Sequence, residues 1–195
     1  MTDDSDIVFI EGSATTHQNV LETALVEFEQ SLEERLGWRE NVNVTLGIVS
    51  VSALAGIGSI QFELIDDNDI PTGVNHDPVN GFAIMVEFLV QGIRDSDPDT
   101  AEVMDHLSSG FVGWLYVAEG LEVGEEGEPP VRMMGYYNIG NGGFFALRRK
   151  KGEEPSHGWG RPDDFTGGNV VYEALEKLTR ASHYVVIRRE LFGDR

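Results

Sequence analysis

The residues best equipped for chemistry lie together in SHGWGRPDDFTGG, residues 156–168. His157 is a candidate general base or metal ligand, since its unperturbed pKa lies near neutrality. Trp159 offers a large apolar platform, and the fork of Arg161 suits a carboxylate or phosphate. Asp163 and Asp164 can orient the histidine or hold a cation. Ser156 stands next to His157, but triad partners meet in space from separated segments, so this pair is not a nucleophile signature. The competing reading is structural. A compact Ω-type loop would pack on its own Trp159 and Phe165, with Arg161 paired to Asp163 and Asp164 or Thr166 opening the next helix.

Two other segments carry ligand-like residues. In DDNDIPTGVNHDPVN (residues 66–80), Asp66, Asp67, Asp69, Asp77 and His76 are candidate oxygen and nitrogen ligands for a hard cation. Counted as a calcium loop from Asp67, the segment puts Pro71 where the third ligand belongs and has no closing glutamate. The pattern fails, and neither a metal nor any other cofactor is predicted. The basic run Arg148-Arg149-Lys150-Lys151, with Tyr136 or Tyr137 for stacking, has the parts of a phosphate or nucleic-acid grip. Tyr136, Tyr137, Arg148, Trp159 and Arg161 are therefore the candidate ligand-binding set.

Charge decides against nucleic acid. Residues 1–131 hold 3 Lys/Arg against 26 Asp/Glu, a net of −23; residues 132–195 hold 11 against 8, a net of +3. A chain at −20 repels polyanions and anionic membranes. The basic strand end is better read as facing the acidic N-terminal part of this chain or of another copy. There is no cysteine, which excludes disulfides and thiolate metal sites. The acidic start MTDDSDIVFIEG does not read as a signal peptide, and no apolar run reaches the roughly 18 residues of a spanning helix. The expectation is a soluble, cytoplasmic protein.

The positioning elements follow from periodicity. Leu21, Ala24, Leu25, Phe28, Leu32 and Leu36 recur at helical spacing, after a capping box at Thr15 and Gln18 and before a stop at Gly37. Glu22, Glu29 and Glu33 mark the opposite, solvated face, and Trp38 folds back on the last turn. Val42–Ile48 and Ile60–Leu64 alternate as strands, with a bulge expected near Ile48-Val49. Phe82, Ile84, Val86, Phe88 and Val90 also alternate; Phe82, Val86, Leu89 and Ile93 fit a helix, but Gly92 and the β-branched and aromatic content favour a strand. Asp97-Pro98 opens a short helix ending near Gly110, on which Asp105 and His106 point apart. Residues 111–123, 131–139 and 143–151 read as an antiparallel meander with a turn at Gly140-Asn141-Gly142. A last helix from Gly168 or Asn169 to Ser182, carrying a Glu173–Lys177 pair, is capped by His183 and followed by a closing strand at Val185–Ile187.

The whole predicts an α+β fold: a mainly antiparallel sheet of about six to seven strands, with two longer helices and one short helix packed on one face. Residues 1–16 form an acidic tail in which only Ile7–Ile10 can add an edge strand. Residues 17–195 form one domain, with possible halves at 17–94 and 95–195. Three functions fit. The charge favours a non-enzymatic interaction or regulatory factor, inhibitor- or immunity-like, that binds a basic protein through its acidic two thirds. A small-ligand binder or hydrolase-like enzyme would use the 157–164 loop. A self-associating assembly subunit would pair basic strand ends with a neighbour's acids.

Overall fold

The computed structural model describes residues 6–10, 17–38, 43–54, 57–65, 78–107, 110–119, 129–160, 162 and 167–193. In chain order its elements are β1 (Asp6–Ile10), α1 (His17–Leu36), β2 (Asn43–Leu54), β3 (Ile57–Leu64), α2 (Pro78–Asp95), α3 (Pro98–Asp105), β4 (Phe111–Glu119), β5 (Val131–Tyr137), β6 (Phe144–Lys150), β7 (Ser156–Gly160) and α4 (Gly168–Phe192). The α+β class is borne out. The strands form one sheet in the order β1-β3-β2-β4-β5-β6-β7, with every neighbouring pair antiparallel. It runs unbroken through both halves of the chain, because β2 pairs with β4.

The helices do not share one face. α1 packs Leu21, Ala24, Leu25, Phe28 and Leu32 on the side of the sheet carrying Val49, Phe62, Leu115, Tyr136 and Phe145. α2, α3 and α4 cover the other side, against Leu46, Ile48, Trp114, Tyr116, Met133 and Tyr137. A sheet covered twice needs apolar residues at consecutive positions. The central strands show it: all seven residues of β5 are buried, as are eight of the nine in β4. The runs FVGWLYVA and VRMMGYY already carry that signal.

Two strand predictions fail, and for related reasons. Residues 82–93 belong to α2: Phe82, Met85, Val86, Leu89 and Val90 are buried, while Ile84 and Phe88 face outward at 58% and 69% exposure. The period-two pattern therefore arose from apolar residues on the solvent side of a helix. The expected closing strand at Val185–Ile187 is likewise the last part of α4, where Val186 is buried but Tyr184, Ile187 and Leu191 are exposed. His183 consequently sits inside the helix, half-buried, and caps nothing. α3 keeps its Asp97 cap, whose Oδ1 accepts from the Asp99 N–H at 2.9 Å, but stops at Asp105.

The bulge expected in β2 near Ile48-Val49 is not there, since β2 pairs with β3 without a break; the irregularity is on the facing strand. The β2–β4 register shifts between Val49 and Ser50, which leaves Val112 of β4 as the extra residue. Gly113 follows it because a Cβ there would come within 2.5 Å of the Tyr137 carbonyl. Gly37 ends α1 at φ +68°, the left-handed conformation that glycine adopts most readily.

Candidate functional site

Antiparallel register builds a row of charges under the C-terminal half of α1. Glu119 of β4 lies opposite Arg132 of β5, and Arg132 lies opposite Arg149 of β6. All three point toward α1, alternating with the residues that face α4. From above, α1 contributes Glu29 and Glu33, one helical turn apart.

Arg132 and Glu29 are fully buried, and Glu119 nearly so. Arg132 Nε donates to Glu119 Oε1 at 2.5 Å, and its Nη2 pairs with the same carboxylate. Nη1 donates to Glu29 Oε1 (3.1 Å) and to the Glu29 carbonyl (3.3 Å). Nη2 donates to the Gly37 carbonyl at 2.7 Å, satisfying an acceptor at the end of α1. The guanidinium also lies 4.5 Å from the centre of the Trp38 ring. Arg149 closes the network through Glu29 Oε2 (3.0 Å) and Glu33 Oε2 (2.7 Å), and its Nε donates to the Glu153 carbonyl (3.1 Å).

The electrostatics follow from this geometry. Glu33 is held below the usual carboxylate range, first by the Trp38 indole N–H, which faces it without closing a full hydrogen bond, and then by Arg149 and Arg132 against the opposing effect of burial. Arg149 is raised: burial acts against its charge, and its bonds to Glu29 and Glu33 outweigh that. The internal reading of the basic run is therefore correct for Arg149. Of Glu22, Glu29 and Glu33, only Glu29 is buried rather than solvated; Glu22 and Glu33 stay partly exposed, and each of the three meets a basic or histidine side chain of the sheet.

The predicted site residues divide between the two sides of the sheet. His157 and Trp159 stand on β7, an edge strand where a free loop was expected. His157 Nδ1 lies 3.1 Å from Glu22 Oε1. The two line an open groove of about 480 Å³ with Asn19, Thr23, Val26 and Glu27. Apart from His157 its ionisable lining is acidic, so it suits a cation or a hydrogen-bond donor. Trp159 stacks edge-on against Tyr136 (6.2 Å) and Phe145 (5.5 Å), with its indole N–H buried and without a partner.

Tyr136 and Tyr137 are interior and point to opposite sides, so neither offers a stacking face to an outside base. Tyr136 donates to the Val112 carbonyl at 3.3 Å, and burial pushes its hydroxyl well above the usual phenol range. Tyr137 accepts from Arg180 Nη2 at 3.2 Å on the α4 side; burial is again the main cause of its upward shift. Arg148 is exposed on β6, on the side opposite Arg149. Arg161, Asp163, Asp164, Asp66, Asp67, Asp69, His76 and Asp77 lie outside the described residues. Among the described residues, no three His, Asp or Glu side chains are grouped to hold a metal ion.

Sequence reasoning missed Arg132, Glu29, Glu119 and Trp38. Two signals were available: a lone arginine inside the apolar run VRMMGYY, and a Glu29 four residues after Leu25, at the border of the buried stripe. Other pairs join distant segments in the same sense. Lys177 reaches Glu87 at 2.5 Å rather than depending on Glu173 alone, and Arg189 reaches Asp105 at 2.6 Å. Asp105 and His106 do point apart, His106 toward Glu63 at 2.9 Å. In comparisons with known proteins, no family model, no curated protein and no solved structure matches the chain.

Proposed function

We propose that the protein is a non-enzymatic interaction or regulatory factor that binds a basic protein partner through its acidic first two thirds. The supporting observation is where the bases go. Arg132, Arg149, Lys177 and Arg189, all from the basic last third, bond to Glu119, Glu29, Glu33, Glu87 and Asp105 of the acidic part. These cations are taken up in pairs within the fold, and the acids that remain at the surface set the sign of the partner. Such a field steers association and weakens with salt. The test is a tagged capture from native lysate at low and high salt, read by mass spectrometry. One near-stoichiometric basic partner released by salt is expected; no salt-sensitive partner would sink the reading.

A second reading rests on the His157–Glu22 groove, whose volume and acidic lining suit a small cationic ligand. Its test is a thermal-shift screen of organic amines, in which a stabilising hit abolished by Glu22→Gln would move weight from partner binding to ligand binding.

A further inference from the structure

The outward faces of α2 and α4 carry more apolar surface than a solvated helix face normally does. Ile84 and Phe88, four residues apart on α2, are 58% and 69% exposed; Tyr184, Ile187 and Leu191 follow helical spacing on α4 and are all exposed. The two helices lie side by side and run in the same direction, since Val79 neighbours Gly167 at their starts and Glu87 meets Lys177 farther along. That ion pair is itself exposed; it sets Phe88 level with the Lys177 turn, so the Tyr184–Leu191 stripe lies farther along, toward the end of α2. The acid-rich end of this surface is the α2–α3 corner, where Asp95, Asp97, Asp99 and Glu102 are exposed within eight residues and Asp105 is already paired with Arg189.

Resting on the reading above, we infer that this α2–α4 face, with its acidic corner, is the docking site for a basic amphipathic helix of a partner protein. The apolar stripes would take the partner's apolar anchors, in the helix-in-groove manner. The corner would take its Lys or Arg residues. A second copy of this chain is the poorer occupant: it would bring another −20 charge to the same surface.

The probe is a synthetic helical peptide with Leu at helical spacing and Lys elsewhere, compared with a shuffled peptide of the same composition that lacks an apolar face. Binding is read by fluorescence anisotropy and self-association by sedimentation velocity, on the wild type, Phe88→Asp and Tyr184→Asp. Both substituted side chains point to solvent, and circular dichroism checks that the fold is retained. The inference expects the amphipathic peptide to bind about tenfold or more tighter than the shuffled one, and each variant to lose about tenfold. Equal binding of both peptides, unchanged in the variants, overturns the docking site and leaves the acidic-surface reading standing. Binding of neither peptide overturns both. A dimer dissolved by Phe88→Asp assigns the face to a second copy and overturns the inference.

Discussion

Arg132 shows why a buried ion network is asymmetric in energy. With its partners present, desolvation is offset by four hydrogen bonds, a further ion-pair contact with Glu119 and a ring face. Removing the arginine alone strands Glu119 in the interior and leaves Glu29 to Arg149 alone. Arg132→Met should therefore lower unfolding free energy by about 3–5 kcal/mol in urea titrations. Adding Glu119→Gln should recover a large part of that loss, because the penalty lies in the unpaired charge. Ionisation sets the pH limits with opposite signs. Glu33 is depressed in the fold, so its contribution is full above the ordinary carboxylate value of 4.5 and is lost as pH falls through its lower folded value. Tyr136 is raised, so its contribution is full below about pH 10 and is lost as pH rises beyond it. Glu33→Gln should flatten the acid limb of a stability–pH profile and Tyr136→Phe the alkaline limb; unchanged limbs would show that other groups control them.

At the scale of elements, α1 was legible because Leu21, Ala24, Leu25, Phe28 and Leu32 share one buried face and its stop is a glycine at positive φ. Gly37→Ala should cost about 1 kcal/mol, measurable by thermal melting. α2 was not legible, because a period of two and a period of 3.6 share Phe82, Val86 and Val90, and only burial separates them. The assignment has a sharp test. Val86→Asp places an unpaired carboxylate in the core and should prevent folding, whereas Phe88→Asp should change stability by no more than about 0.5 kcal/mol. On a half-buried strand the two residues would share a face and respond alike. The candidate site was legible only in part. His157 and Trp159 were read as parts of one loop, and their shared edge strand was not foreseen. The pairing of His157 with Glu22, across 135 residues, has no local trace.

For the molecule as a whole, like-charge repulsion at −20 competes with a few long-range pairs, of which, among the described residues, only those around Arg132 are shielded from solvent. Screening should relieve the long-range repulsion more than it weakens the exposed pairs. Raising salt from about 0.02 M to about 0.3 M should therefore increase the melting temperature; a fall would show that the exposed pairs Lys177–Glu87 and Arg189–Asp105 dominate. The sequence by itself determined the α+β class, the meander of β4, β5 and β6, the C-terminal end of α1, the absence of disulfides and the division of charge between the two parts of the chain; the expected cap at Thr15 lies outside the described residues. Each of these depends on composition, on local periodicity or on neighbours a few residues apart. Only the tertiary structure decided that helices cover both faces of the sheet, that Glu29 is buried against Arg132 rather than hydrated, and that Ile84 and Phe88 are left outside. Those outcomes depend on which face of each helix meets the sheet and on strand register, which bring residues more than a hundred positions apart into contact.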